Sequence, residues 1–277
     1  MDLLFCSIAS GSSGNCYYLA SNETKILLDA GISGKRIMQG LANIGVDARE
    51  ITALLITHEH IDHVKGAGII SRKNDIPIYA NAKTWEMMKG GIGRIEKHNR
   101  KVFTTGEYFE LNDFIIKTYT IPHDAADPVG FSFYKDDRQV SIATDIGKMT
   151  TGVFSEISNA DFLVLEANHD IEMLKMGRYP WYLKQRILSS KGHLSNIDAG
   201  KTIINLLKKD NKERQILLAH LSRENNFPEM AYQTIKNILE EERFYIGKDV
   251  LLHTALREQI SKVYSITKKE RCYYGSF

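Results

Sequence analysis

Residues 55–66 read "LITHEHIDHVKG". The apolar, β-favouring run Ala53–Thr57 reads as a buried strand ending at His58. Alternation within His58-Glu59-His60 sends the two histidines to one side, while Asp62 and His63 fall where a helix running through "VKGAGIISRK" would begin. A lone histidine is ordinarily a surface or satisfied core residue. Four metal-type side chains in six residues, at a strand-to-helix turn, are a metal-site pattern.

A site built at one strand end should draw ligands from other strand ends, where side chains converge without disturbing the core. His123 follows "IKTYTIP", Asp145 follows "QVSIAT" and His220 follows "QILLA". Taken alone, Asp145 could instead cap the turn "DIGK"; the recurrence of ligand types after apolar strands weighs against that.

The surrounding chain bounds the reading. Its 277 residues, 43% hydrophobic and 25% charged, suffice for a sizeable core. Lys+Arg number 36 against 34 Asp+Glu, a net charge of +2, so any basic footprint must be local. The start "MDLLFCSIASG" is unlike a secretory signal, and no apolar stretch approaches the roughly 18–20 residues of a spanning helix. A cytoplasmic protein without a membrane partner is expected. Cys6, Cys16 and Cys272 show no CxxC spacing and read as reduced, buried thiols.

Strand-like runs begin at "LLFCSI" and recur to "DVLLHTA", with helical patterns over 34–44, 63–73, 83–90, 168–176, 181–188, 196–208 and 229–242. Ser195-Asn196-Ile197-Asp198 has capping-box spacing with Asp in place of Glu, and Pro228 suits a first helical position. Hairpins come first and strand–helix units later, which predicts an α/β fold of two sheets covered by helices. One domain over 1–265, followed by a basic tail over 266–277, is the simplest division.

"THEHIDH" (57–63), with Asp29 in "ILLDAG", His123, Asp145 in "IATDIG" and His220 in "LLAHLS", resembles the five motifs of the metallo-β-lactamase fold superfamily. The resemblance implies an αββα four-layer sandwich with two divalent metal ions, Zn²⁺ or Mn²⁺, at one edge. It also implies that His58, His60 and His123 hold the first ion, that Asp62, His63 and His220 hold the second, and that Asp145 bridges both. Asp29 would orient the site from behind.

Membership of a fold family leaves the reaction open. His123 lies in "IPHDAADPVGFSF", without the Gly-His-Thr setting of the thioesterase branch, and Asp145 stands where lactamases carry cysteine. Glu166 in "VLEANHD" and His193 in "KGHLS" resemble residues of the phosphodiesterase branch that attend the scissile phosphate. With Asp62, which is also a ligand, they are the expected catalytic residues. Phosphodiester cleavage needs a nucleophile, neutralisation of phosphate oxygens, and a proton or charge for the leaving alkoxide. A cationic imidazole at His193 would supply the last, kept charged by a carboxylate such as Glu166.

The opening hairpin "SIASGSSGNCYYL" reads as a tight turn, or as a loop placing Ser10, Ser12, Ser13 and Asn15 at the rim of the site. Together with "LLAHLSRENN" it looks like the YycJ/WalJ-type group, regarded as DNA exonucleases acting from the 5′ end. Residues 173–191 carry no acidic side chain and interleave Arg178, Lys184 and Arg186 with Trp181. They read either as a solvated helix face with aromatics in the core or as a grip for single-stranded nucleic acid. A DNA substrate is expected. A small cyclic-phosphate phosphodiesterase, an RNA-processing nuclease and a non-catalytic metal-stabilised regulator are the alternatives.

Overall fold

The computed structural model describes residues 3–210 and 212–267. Two seven-stranded sheets stack face to face. The first contains β1 (Leu3–Ala9), β2 (Cys16–Ala20), β3 (Lys25–Leu28), β4 (Ala53–Leu55), β5 (Ile78–Asn81), β6 (Arg100–Phe103) and the late strand β14 (Tyr264–Ile266), in the order β14-β1-β2-β3-β4-β5-β6. The second contains β7 (Tyr108–Leu111), β8 (Phe114–Thr120), β9 (Val129–Lys135), β10 (Arg138–Ala143), β11 (Phe162–Glu166), β12 (Gln215–Ala219) and β13 (Leu251–Thr254), in the order β13 through β7. Strands β3 to β6 are mutually parallel, as are β10 to β13; antiparallel hairpins fill the remainder.

Alternating side chains explain the layers. Phe5, Leu19, Leu28, Phe131, Phe133 and Val164 point between the sheets and form the central core. The opposite face of the first sheet, with Leu27, Leu54 and Ile78, is covered by α1 (Gly34–Asn43), α3 (Ala67–Asn74) and α4 (Ala82–Met88). That of the second, with Leu163 and Leu218, is covered by α5 (Thr151–Ile157), α8 (Asn196–Lys209) and α9 (Pro228–Glu241). This is the expected αββα sandwich. Because β4 and β11 are covered on both faces, they read as continuous apolar runs. Truncating Phe131, fully buried between the sheets, to Ala would cost about 3–5 kcal/mol.

Several boundaries differ from the sequence expectation. The helix expected over 63–73 is broken into α2 (Ile61–Val64) and α3. At the break, Gly66 N donates to Ala30 O at 2.7 Å, and a Cβ there would lie 2.3 Å from Ile32 O, so the backbones meet where only glycine fits. The helix expected from 168 starts at Ile171, because the Asp170 side chain accepts from Met173 N and caps α6 (Ile171–Met176). Helix α7 (Trp181–Leu188), the Ser195 cap and Pro228 at the start of α9 agree with expectation. Ile266 pairs with Leu3, so the first sheet extends one residue past the boundary placed at 265. Residues 268–277 of the expected tail lie outside the described residues.

Candidate metal centre

The parallel strands of both sheets end at one edge, as ligand-bearing strands do in open α/β sheets. Asp29 follows β3, the His58 turn follows β4, Asp145 follows β10 and His220 follows β12. Asp29, Asp145 and His220 all adopt left-handed backbone, with φ of 59°, 59° and 56°. Such conformations cost on the order of 1–3 kcal/mol each and persist where surrounding contacts over-determine them. At His220 those contacts come from far along the chain: Ser10 Oγ accepts from His220 N, and Asn168 Nδ2 donates to His220 O, both at 2.8 Å.

Two sets of donors face each other. In the first, His58 Nε2 lies 3.1 Å and His123 Nε2 3.3 Å from His60 Nδ1. Thr57 Oγ1 meets His58 Nδ1 at 3.0 Å and Gly192 O meets His123 Nδ1 at 3.2 Å, which turns the opposite ring nitrogens inward. In the second set, Asp62 Oδ2 lies 3.7 Å from both His63 Nε2 and His220 Nε2. Asp29 Oδ2 receives His63 Nδ1 at 2.7 Å, and Thr57 N and Oγ1 in turn donate to Asp29. Asp145 stands between the sets, Oδ2 at 3.4 Å from His63 Nε2 and Oδ1 at 3.9 Å from His123 Nε2.

This arrangement fits divalent metals. Among the described residues Asp145 Oδ2 and His220 Nε2 are buried without a hydrogen-bond partner, a cost that an ion would relieve. Imidazole nitrogens with carboxylate oxygens suit Zn²⁺ or Mn²⁺, and the groups that could hold an ion include His58-His60-His123 and Asp62-His63-His220. Burial, with cationic neighbours, holds His58 well below its usual value. Burial also disfavours charge on His63, but Asp29, Asp145 and Asp62 outweigh it and raise His63 to about 9. His220 rises well above its ordinary value for the same reason, through Asp145, Asp62 and Glu166.

Glu166, expected as the carboxylate beside His193, lies against that ring. It is fully buried at the end of β11. Its Oε1 meets His193 Nδ1 at 2.9 Å and His220 Nδ1 at 2.7 Å; its Oε2 accepts from Ile146 N at 2.8 Å and Leu194 N at 3.0 Å. Every oxygen is thereby committed, and the carboxylate holds two histidines from behind. Burial would raise its pKa, but His193 and His220 keep it well below the usual carboxylate range. His193, 19% exposed, meets Glu166 through Nδ1, which leaves Nε2 as the ring nitrogen not held by this carboxylate.

The four hairpin residues separate. Ser12 and Ser13 are exposed, as a rim position requires. Ser10 and Asn15 are buried and do not reach the rim. The Ser10 hydroxyl is used by His220 N and Tyr17, while Asn15 Oδ1 accepts from Gly11 N and its Nδ2 faces His63 Nε2 at 3.2 Å. In the basic segment, Trp181 and Tyr182 are 67% and 72% exposed, so these aromatics are not core. Arg186 pairs with Asp124, the residue after His123, which places this end of α7 beside the centre. Lys184 Nζ donates to Lys175 O at 2.6 Å, and Arg178 is exposed.

Sequence reasoning missed Thr57, Asn168 and Gly31. A Cβ on Gly31 would lie 1.6 Å from Asp62 O, so glycine is required for the Asp62 turn to close. The "DAG" following β3 was the available signal.

Residues 9–172 match the model of the metallo-beta-lactamase superfamily. The chain is 39% identical over 253 residues to exodeoxyribonuclease YycJ of Bacillus anthracis, covering 91% of this chain and 95% of that protein. It is 41% identical over 244 residues to exodeoxyribonuclease WalJ of Streptococcus pneumoniae serotype 2, covering 87% and 90%. Among solved structures, the metallo-beta-lactamase fold protein YhfI from Bacillus subtilis superposes with a TM-score of 0.71 at 18% identity, over 96% of this chain and all of that one. Motif by motif and over most of its length, the chain belongs to the metallo-beta-lactamase superfamily, alongside YycJ and WalJ.

Proposed function

We propose that this metal-dependent hydrolase is a DNA exonuclease acting from the 5′ end, cutting phosphodiesters at the paired donor sets. The observation that carries the reading is the joining of those sets by Asp145, near a partly exposed His193 backed by Glu166. Two divalent ions, one in each set with Asp145 shared, would supply an activated water and positive charge for the phosphate oxygens. His193 then gives a proton to the leaving oxygen through Nε2, because Nδ1 is occupied by Glu166. Asp29 and Glu166 fix ring orientation by taking the Nδ1 atoms of His63 and His220. The strand lies along residues 173–191, phosphates on Arg178, Lys184 and Arg186 and bases on Trp181.

The names of the two relatives support DNA over RNA, and the reading carries a cytoplasmic location with it. No helix among the described residues is long and apolar enough to cross a membrane. Digestion of 5′- and 3′-labelled single- and double-stranded DNA and RNA, with Mn²⁺ or Zn²⁺, tests the reading. Early release of the 5′ label from DNA as a mononucleotide is expected. Hydrolysis of bis-(nitrophenyl) phosphate with every polynucleotide left intact would reassign the protein to small phosphodiesters.

A further inference from the structure

Beyond the donor sets, one cationic side chain is placed against the turn that follows His220, with its hydrogen-bonding capacity almost unused among the described residues. Arg257, in the turn after β13, packs its side chain over bare Gly11: a Cβ there would lie 3.2 Å from Arg257 Cγ and 3.3 Å from its Nε. The same hypothetical atom would lie 3.0 Å from the carbonyl of Leu221, the residue after His220, so loop, guanidinium and His220 turn abut. Arg257 Nη2 reaches Leu221 O only at 3.4 Å, and its buried Nε has no acceptor among the described residues. A guanidinium has five donors in a fixed fork and remains charged.

A structural arginine would be matched by a carboxylate. Here burial, and after it a second cation, Arg223, lower the pKa of Arg257, while Glu258, Glu224 and Tyr179 act in the opposite direction. Arg223 is largely exposed and makes only a 3.8 Å approach to Glu224. Ser12 and Ser13, both exposed, follow Gly11 directly in the chain. An under-used guanidinium against Gly11 and Leu221, a second cation, and two exposed serines that follow Gly11 in the chain are donors of the kind that hold a tetrahedral anion.

We infer that Arg257 and Arg223, with Ser12 and Ser13, form a phosphate subsite that holds the phosphate adjoining the scissile one. The subsite rests on the phosphodiesterase reading. The anion is either a terminal monoester or the next diester of the strand, and both present the same oxygens to the fork.

Hydrolysis of thymidine 5′-(p-nitrophenyl phosphate) with and without a 3′-phosphate, and of thymidine 3′-(p-nitrophenyl phosphate) with and without a 5′-phosphate, tests it in the metal-loaded protein. The added phosphate should raise kcat/KM by about 10- to 100-fold in one series, the size of a charge-assisted contact, and that series identifies the side. Arg257→Ala should bring the ratio close to one, Arg257→Lys should recover only part of it, and Arg223→Ala should lower it. Comparing 5′-phosphorylated with 5′-hydroxyl DNA separates a terminal monoester from an internal diester. Should Arg257→Ala fail to fold or hold metal, exposed Arg223 decides alone. No preference in the wild type, or a preference untouched by these alanine variants, overturns the subsite while DNA cleavage stands. Wild-type protein that cuts no DNA overturns the proposed function and the subsite together.

Discussion

Glu166 Oε1 lies 2.9 Å from His193 Nδ1, and the same oxygen lies 2.7 Å from His220 Nδ1. One buried carboxylate oxygen therefore orients both a candidate acid and a candidate metal-binding ring. Glu166→Gln replaces that shared anion with a neutral amide whose NH₂ group, in either orientation, meets donors. We expect metal affinity to fall about 10- to 100-fold through His220, with activity falling alongside. Unchanged metal binding by competition with a chelator would uncouple His220 from Glu166.

His193→Ala should behave differently. The two metal equivalents remain, while kcat falls about 10²–10⁴-fold. The loss shrinks for nitrophenyl esters, whose leaving group needs little help. Equal losses for alkyl and nitrophenyl esters would point to phosphate positioning, and loss of metal would place His193 among the ligands.

Asp145→Ala removes the only carboxylate facing both donor sets among the described residues. At least one metal equivalent should be lost, read by elemental analysis after gel filtration. Full occupancy of two would exclude a bridging part for Asp145.

Metal uptake should be linked to protons. In chelator-stripped protein His63, raised to about 9 from an ordinary 6.5, is charged at neutral pH. Its pairing with Asp29 then stabilises the stripped fold fully below about pH 6.5 and is lost as pH rises through 9. Metal must displace that proton, so apparent affinity should climb between those limits. Calorimetric titration at pH 7 in buffers of different ionisation enthalpy should show proton release; identical heats in all buffers would remove the linkage.

The segment before His193 predicts a salt effect. Neutralising Arg178, Lys184 and Arg186 together should flatten the log–log salt dependence of single-strand binding by roughly 0.7 units per lost contact. Arg186 gives up its pair with Asp124 to do this, so its share should be the smallest. A slope equal to that of the wild type would return the segment to a structural part.

The fold was legible where burial is two-sided. Strands such as "FLVLE" and "QILLA" carry apolar runs of four residues because helices cover one face and a second sheet the other, and each run leads to a chemically distinctive residue, Glu166 or His220. β6 and β7 escaped notice because they are edge strands with exposed, charged or polar positions, and α5 because "TGVFSEI" carries a glycine and β-branched residues. Ligand types were legible from spacing, but their supports were not. Ser10 in a Gly/Ser loop reads as exposed; only the folded chain brings it to His220 N, 210 residues away. Arg257 gives no local signal at all, since its partners Gly11 and Leu221 arrive from two other turns.

The division of donors between sheets has a consequence for biosynthesis. The ribosome releases the amino-terminal end first. Four of the seven donors, His58 to His63, are available early, but they face only half a centre until His123, Asp145 and finally His220 emerge. The outer edge of β1 stays unpaired longer still, until β14 adds itself through Ile266. A nascent chain thus cannot assemble the full set of donors until His220, the last of them, has been made.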